Sequence, residues 1–269
     1  MSEVTPPSRR KHVLTSVIPS RAVAVFALLA CFASLASAQT MKVLTAGAFK
    51  QVVLAFVPEF EAQSGVKVVV DNDTAGALVK RIQAGEPFDV LILPPNAINA
   101  LAKEGKVDAK GVLPVAKVAI GVAVKSGMPH PPLETVEQFK AAVLGARQVA
   151  YIDPASGGSS GIYLHGLFER LGISEAVRSK AVLVPGGLVA QRLVTGEADL
   201  AIHQVSEILP VKGVDLVGVL PEAIQSYTTY AVGISTNSSL SAPAKSFMAL
   251  IASPASMATI RGKGMLSPD

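Results

Sequence analysis

Three histidines follow residue 38, and histidine is the side chain whose ordinary pKa best suits proton transfer near neutral pH. His203 comes at the end of an apolar stretch, residues 200–202, that is typical of a buried strand, and Gln204 follows it. We predict that His203 and Gln204 lie at the mouth of a ligand cleft, where His203 contacts a ligand or transfers a proton. The alternative for His203 is a purely structural hydrogen bond at the strand end. His130, in a proline-rich loop, and His165, on a predicted helix, are interpreted as solvated or structural.

Small residues fill four predicted loops, each of which joins the end of a strand to the start of a helix. Helix N-termini have unpaired N–H groups and the positive end of the helix dipole, so several of them at one cleft would bind an anion without a fixed charge. Ordinary turn chemistry is the alternative for any single loop. The candidate ligand-binding residues in these loops are Gly47, Ala48, Thr74, Gly76, Ser159, Ser160 and Gly187.

Three further side chains could reach the same cleft. Tyr163 comes one turn after the Ser/Gly loop, and it either presents its hydroxyl to a ligand or packs its ring. Arg81 and its neighbour Lys80 lie near the start of a predicted helix, where the dipole disfavours a cation. We therefore predict that one of them, Arg81, faces an anionic ligand; a solvated helix face is the alternative. Glu207 is a further titratable candidate.

Metal and nucleotide chemistry lack the residues that they need. No Gly-Lys-Ser/Thr follows the loop of residues 156–161, so a nucleotide-hydrolysing loop is not indicated. The only cysteine is Cys31, and the histidines after it form no His-x-x-x-His pair. We therefore predict that the protein has no metal site and no cofactor.

From residue 41 onward, short β-branched runs alternate with longer amphipathic patterns, which predicts an α/β fold with parallel strands and crossover helices. Residues 118–124 and 227–234 are extended stretches that we predict join two lobes, each a mostly parallel sheet flanked by helices. The first lobe is then formed by residues 41–120 and 232–269, and the second by residues 121–228. The ligand cleft is expected between the lobes, which could close by a hinge motion.

The first 38 residues are a different kind of sequence. Basic residues precede an apolar run, residues 22–35, which ends in a small-residue cleavage site, Ala-Ser-Ala. This pattern predicts a secretory signal peptide that is removed after Ala38, and hence a periplasmic protein. Lipoprotein processing at Cys31 and export by the twin-arginine route are the alternatives.

Most of the net charge belongs to this leader. Its removal takes away four of the 24 basic and one of the 20 acidic residues, which leaves a net charge of +1. No basic run remains, so nucleic acid is not expected as a partner. No later stretch reaches the ~20 apolar residues of a spanning helix. We expect a monomer that binds a small anion and does not insert stably into a membrane.

The segments that resemble the periplasmic molybdate-binding receptors of ABC transporters are residues 43–49, 77–90 and 160–163. The resemblance covers the chain after the leader and implies the two-lobed type II periplasmic binding fold. It also implies hydroxyl ligands, but Ala48, Gly76 and Gln204 stand where these receptors have serine or tyrosine. A buried polar group that loses its partner costs ~1–3 kcal/mol. We therefore predict weak binding of molybdate.

Residues 87–90, Pro-Phe-Asp-Val, and the prolines at 94–95 also resemble the periplasmic aconitate isomerases, which implies an enzyme. The prediction favoured by the sequence is a periplasmic solute-binding protein that captures a small di- or tricarboxylate for an ABC permease. The first alternative is an aconitate isomerase, in which His203 transfers an allylic proton and helix N-termini stabilise the enolate-like charge. The second alternative is a molybdate- or tungstate-binding protein.

Overall fold

The computed structural model describes residues 1–4 and 39–268. Apart from residues 1–4, the predicted signal peptide lies outside the described residues, together with its cleavage site after Ala38 and the alternative site at Cys31. In the part of the chain that the structure describes, no helix is both long enough and apolar enough to cross a membrane.

Nine strands within the described residues form one sheet in the spatial order β2-β1-β3-β9-β4-β7-β5-β6, with β8 paired to β4 beside this path. The strands are β1 (Thr40–Ala46), β2 (Lys67–Asp73), β3 (Val90–Leu93), β4 (Leu113–Lys125), β5 (Val149–Ile152), β6 (Ala181–Val184), β7 (Leu200–Gln204), β8 (Val214–Val219) and β9 (Tyr227–Ile234).

Helices connect most of these strands and cover the sheet, as the alternating sequence pattern predicts. The α-helices are α1 (Lys50–Ser64), α2 (Ala75–Gln83), α3 (Pro95–Lys103), α4 (Val136–Gly145), α5 (Ser159–Arg170), α6 (Ser174–Arg178), α7 (Gln191–Val194), α8 (Val205–Ile208), α9 (Ser241–Ala252) and α10 (Met257–Gly262). A short 3₁₀ turn, Gly47–Phe49, precedes α1.

The sheet is parallel at its two ends and antiparallel in its centre. Strand β1 pairs in parallel with β2 and β3, and β5 pairs in parallel with β6 and β7. Strand β9 runs antiparallel to β3 and β4, and β4 runs antiparallel to β7 and β8. The sequence predicts a mostly parallel sheet in each lobe. The observed sheet is parallel only among β1, β2 and β3 and among β5, β6 and β7, because β4 and β9 run antiparallel to each other and to their other neighbours.

Strand β4 belongs to both halves of the sheet. Its residues 113–119 pair with β9, and its residues 120–125 pair with β7 and β8. Tyr227, the first residue of β9, pairs with Ala119, so β9 lies wholly beside the first half of β4. We call β1, β2, β3, β9 and residues 113–119 the first half of the sheet, and the remainder the second half. Residues 227–228, which the sequence analysis assigned to the second lobe, lie in the first half.

The side chain of Gln225, which precedes β9, is hydrogen-bonded to β4 at the point where the chain crosses between the halves. The backbone N–H of Ile120 donates to Oε1 of Gln225 at 3.0 Å, and Nε2 of Gln225 donates back to the Ile120 carbonyl at 3.0 Å. Gln225 thus acts as a two-bond clamp between the outgoing and the returning chain.

The buried apolar residues divide in the same way as the strands. One cluster contains the buried apolar residues of α1 together with Phe49, and the ring of Phe60 meets that of Phe247 edge-on at 5.0 Å. The second half contains two clusters, one built around Phe139 and Phe168 and the other around the small residues beside α7. Burial of these side chains is the main stabilising contribution to the positions of the loops described next.

Candidate functional site

Loops from both halves of the sheet meet around a small cavity, which we call the inner cavity. Its volume is about 30 Å³, room for about two water molecules. Nine of the residues singled out from the sequence line it: Gly47, Ala48, Thr74, Ser159, Ser160, Gly187, His203, Gln204 and Glu207. The first three follow strands of the first half. The other six follow or end strands of the second half, as expected for a site at the carboxyl ends of strands.

Helix α5 directs its N-terminus at this cavity. The helix begins at Ser159, so the N–H groups of residues 159–161 have no acceptor within the helix. Its N-cap residue, Gly158, provides no side-chain cap. A Cβ atom on Gly161 would lie 2.3 Å from the Ile152 carbonyl oxygen, so only glycine lets α5 pack this closely against the end of β5. The arrangement leaves backbone donors available to an anion.

The chemical centre of the inner cavity is a buried pair, His203 and Glu207. Nε2 of His203 lies 3.2 Å from Oε2 of Glu207, and the two residues are only 1% and 7% exposed. Burial disfavours the charged forms, so it lowers the pKa of His203 to about 3 and raises the pKa of Glu207 to about 8. At neutral pH the pair is therefore a neutral imidazole beside a protonated carboxyl group.

Two further features describe the surroundings of this pair. Nδ1 of His203 is buried and has no hydrogen-bond partner. Glu207 packs against the turn after β1, where a Cβ atom on Gly47 would lie 2.5 Å from Oε1 of Glu207. The sequence analysis placed Gly47 at an anion-binding turn, and its close approach to a carboxyl group adds a second reason for glycine there.

The amide of Gln204 is held by two hydroxyl groups. Its Nε2 donates to Oγ1 of Thr228 at 2.9 Å, and its Oε1 accepts from the Tyr230 hydroxyl at 2.9 Å. Tyr230 also lines the inner cavity, and burial raises the pKa of its phenol above the ordinary value. Gln204 is therefore fixed in orientation, and both ends of its amide are already hydrogen-bonded within the protein.

The loop after β2 touches the loop after β5 directly. The N–H of Gly76 donates to the Gly157 carbonyl at 3.1 Å, and the Thr74 hydroxyl donates to the Ser156 carbonyl at 2.5 Å. A Cβ atom on Gly76 would lie 2.8 Å from Cα of Gly157. This contact, which we call the glycine contact, lies beside the inner cavity, because the neighbouring residues Thr74, Ala75 and Gly158 line the cavity. Gly76 itself does not line the inner cavity, and its role as a ligand-binding residue stays a prediction.

Arg81 does not reach the inner cavity either. Its guanidinium group donates to Asp71, to Glu86 at 2.6 and 2.7 Å and to Asp73 at 3.5 Å. These ion pairs raise the pKa of Arg81 and lower that of Glu86 to about 2. The guanidinium is thus occupied by carboxylates from β2 and from the turn after α2, and it is not available to an anionic ligand.

Tyr163 is likewise directed away from the cavity. Its hydroxyl donates to the Ile224 carbonyl at 2.7 Å, and the Arg170 guanidinium lies over its ring at 5.4 Å from the centroid. Tyr163 therefore packs its ring, which was the alternative to a ligand contact, because α5 turns this position towards the second half of the sheet. The other two histidines lie beside acidic groups. Nε2 of His130 is 3.5 Å from Oδ2 of Asp215, and Nε2 of His165 is 3.5 Å from Oε1 of Glu169.

Some lining residues had not been singled out from the sequence. Asn72 and Asp73 end β2, and their position beside the end of β1 in a parallel pair could have indicated them. Tyr230 lies within β9, where nothing in its local sequence distinguishes it from a core residue. Among residues 1–4 and 39–268, no three His, Cys, Asp or Glu side chains come together as a metal site would need.

Solved structures with the same architecture define the class. The periplasmic molybdate-binding protein of Azotobacter vinelandii superposes with a TM-score of 0.69 at 21% identity, covering 85% of this chain and 100% of that one. The sulfate-binding protein of Mycobacterium tuberculosis gives 0.69 at 17% identity, covering 86% and 88%. These likenesses show that the fold is the two-lobed type II periplasmic binding fold, as the sequence resemblance implied.

The family follows from sequence comparison. The model of the bacterial extracellular solute-binding protein family matches residues 41–266, and the chain belongs to that family. An aconitate isomerase from a Pseudomonas species is 30% identical over 252 residues, which are 90% of this chain and 95% of that protein. Both resemblances noted in the sequence, to the molybdate receptors and to the aconitate isomerases, are thereby confirmed.

Proposed function

We propose that this protein interconverts cis- and trans-aconitate by allylic proton transfer in the inner cavity. The observation that carries the proposal is the buried pair of His203 and Glu207, because capture of a solute needs hydrogen-bond donors alone, whereas this cavity also contains two coupled titratable groups. The Pseudomonas relative named as an aconitate isomerase supports the same reaction.

The reaction needs one proton to leave carbon and one to return. A base removes a proton from the methylene carbon of aconitate, the double bond shifts by one position, and the former vinylic carbon receives a proton. No oxidant or co-reactant is needed. His203 is the base, since an anionic ligand beside its imidazole raises the pKa that burial has lowered. Glu207, protonated before the ligand binds, donates its proton to the former vinylic carbon. Transfer of the abstracted proton from His203 to Glu207 across the 3.2 Å between them then restores both groups.

The charge that develops on the substrate is stabilised by backbone donors. Removal of the allylic proton spreads negative charge onto a carboxylate in an enolate-like form. The N-terminal N–H groups of α5, residues 159–161, and the turn at Gly47 supply donors in a cavity from which most water is excluded. Closure of the two lobes over the ligand, with the chain crossing near residue 120 and again at 221–226, completes this environment.

The decisive experiment uses purified protein and cis-aconitate, with trans-aconitate followed by NMR in deuterated water. We expect isomerisation with deuterium entering the methylene position. His203→Gln and Glu207→Gln should each lower turnover by about 10²- to 10⁴-fold while changing affinity much less. His165→Gln is the matched control, because His165 is exposed on α5. Ligand binding without isomerisation in the wild type would contradict the enzyme proposal.

A solute receptor is the second candidate, and membership of the extracellular solute-binding family favours it. In this role the protein binds a small di- or tricarboxylate in the periplasm, as a monomer, and delivers it to an ABC permease. The backbone donors of α5 would serve this role without His203. The receptor role would be supported if the protein binds a carboxylate tightly without converting it, and if His203→Gln does not weaken this binding.

A further inference from the structure

The inner cavity is too small for a six-carbon tricarboxylate. Binding pockets for small organic molecules measure about 300–1,000 Å³, and the inner cavity has about 30 Å³. The glycine contact, at which backbone meets backbone, lies beside the inner cavity and lines the larger groove described next. The reacting end of such a ligand fits near His203, but its distal part must lie elsewhere.

A larger groove lies on the other side of the glycine contact, and we call it the outer groove. It measures about 420 Å³ and is lined by α2, by the start of α3 and by the start of α5. Ala75 and Ser159 line both spaces, so the two are neighbours across one layer of residues. Separation of Gly76 from Gly157 on opening would join them into one cleft.

The charges point to the outer groove as well. Among the described residues that line the inner cavity there is no lysine or arginine, and Asp73 contributes a carboxylate. Arg81 is occupied by three carboxylates. The lining of the outer groove includes Lys80 on α2, with the side-chain amides of Gln83 and Asn96 beside it. A ligand with several carboxylates therefore finds its cation in the groove and not in the cavity.

We infer that the outer groove is a second carboxylate subsite, in which Lys80 holds the distal carboxylate of a ligand whose reacting end lies against His203 and Glu207. This inference rests on the proposed function for the identity of the ligand. It assigns Lys80 to specificity, because a shorter dicarboxylate whose reacting end lies at the inner cavity does not extend as far as Lys80. Lys80 does not take part in proton transfer.

Calorimetric titration of Lys80→Gln and Lys80→Arg with trans-aconitate and with fumarate tests the subsite. Hydrogen bonds to charged groups contribute about 1.5–3 kcal/mol, and the lower value suits an exposed lysine, so Lys80→Gln should weaken trans-aconitate binding by about tenfold. Fumarate binding should change by less than about twofold, within the additivity expected of an uninvolved site. Lys80→Arg should keep most of the trans-aconitate affinity. Lys103→Gln on α3 is the matched control, since it removes an exposed charge outside the groove.

The outcomes separate the subsite from the proposed function. Wild-type isomerisation with equal trans-aconitate affinity in Lys80→Gln and Lys103→Gln overturns the subsite alone. Lys80-dependent binding of trans-aconitate without isomerisation supports the subsite and overturns the enzyme. Failure of the wild type to bind trans-aconitate, or an equal loss of fumarate and trans-aconitate affinity in Lys80→Gln, overturns the subsite.

Discussion

The three positions where hydroxyl groups were missing from the sequence now have individual explanations. Ala48 is buried and places a methyl group at the inner cavity. Gly76 is used for its lack of a side chain, in the glycine contact. The amide of Gln204 is hydrogen-bonded at both ends by Thr228 and Tyr230. None of the three residues offers a tetrahedral oxyanion a short, free hydroxyl donor.

We therefore expect molybdate to bind weakly. Each donor that is missing leaves one oxyanion oxygen unpaired, at a cost of about 1–3 kcal/mol. Ala48→Ser should restore one hydroxyl at the cavity and strengthen molybdate binding, whereas Ala142→Ser, on α4 and away from the cavity, should have no effect. Isothermal titration of the wild type and both variants measures this. Sub-micromolar molybdate affinity in the wild type would show that backbone donors are sufficient.

Arg81 shows why side-chain roles were harder to predict than positions. The sequence indicates that a cation near a helix start needs a compensating charge, and this reasoning holds. It does not indicate that Asp71, Asp73 and Glu86 supply that charge, because the approach of these residues depends on the pairing of β2 with β1 and on the turn after α2. His203 lines the inner cavity as a buried residue at the end of β7, a position that the local sequence indicates, and its contact with a ligand stays a prediction.

At the scale of elements, the glycine contact sets how closely the loops after β2 and β5 can approach. Gly157 has a positive φ of 77°, which favours glycine, while Gly76 lies in the first turn of α2 with no such requirement. Glycine at position 76 therefore serves the approach of Gly157 and not the helix itself, in which alanine is more stable by about 1 kcal/mol.

Gly76→Ala is expected to separate closure from folding. The added methyl group would lie 2.8 Å from Cα of Gly157, so the loops must move apart and the inner cavity must open. Opening of the contact admits the ligand, and closing retains it with the contact formed again. We therefore expect ligand affinity to fall by about tenfold when the contact cannot close, while the melting temperature of the free protein is unchanged or higher. Gly166→Ala within α5 is the control, because its nearest neighbour is the flexible Arg170 side chain. Unchanged ligand affinity in Gly76→Ala would contradict this role.

The predicted bounds of strands and helices agree best with the structure where the hydrophobic pattern and the length of the segment indicate the same element. The extended stretch predicted at residues 227–234 matches the bounds of β9. Strand β8 and helix α4 were not predicted. Helix α4 does have a local signal in the sequence, the capping box of Thr135 and Gln138. The thirteen residues of β4 were only half predicted, because its first half is defined by pairing with β9, a contact of high sequence separation.

At the scale of the whole molecule, the buried pair links stability to pH. The pKa of Glu207 rises from 4.5 to about 8 on folding, so the folded state holds an extra proton between these values and stability falls as pH rises through them. The pKa of His203 falls from 6.5 to about 3, so the unfolded state holds the extra proton and stability rises with pH over that range. The two effects cancel between pH 4.5 and 6.5.

Denaturant unfolding across pH should therefore show a plateau with a loss on either side of it. From pH 6.5 to 8 only the Glu207 effect remains, and about 1.5 pKa units correspond to a loss of about 2 kcal/mol in the free energy of unfolding. Glu207→Gln should abolish this loss, whereas Glu169→Gln, at an exposed position on α5, should retain it. A wild-type curve that stays flat to pH 8 would show that Glu207 is ionised in the folded protein.

The Gln225 clamp has a consequence for how the chain can be divided. Because Ile120 and Gln225 are hydrogen-bonded side by side, the segment between them enters and leaves the first half of the sheet at one place. A segment whose ends meet can be exchanged or given new termini with little loss of chain entropy, as inserted domains are. Residues 121–224 form such a cassette, and it contains His203, Glu207 and the start of α5. Residues 121–224 could thus replace the corresponding segment of another protein of this fold and bring His203 and Glu207 with them. Lys80 and Gly76 lie outside this segment, so the recipient protein would supply the residues at those two positions.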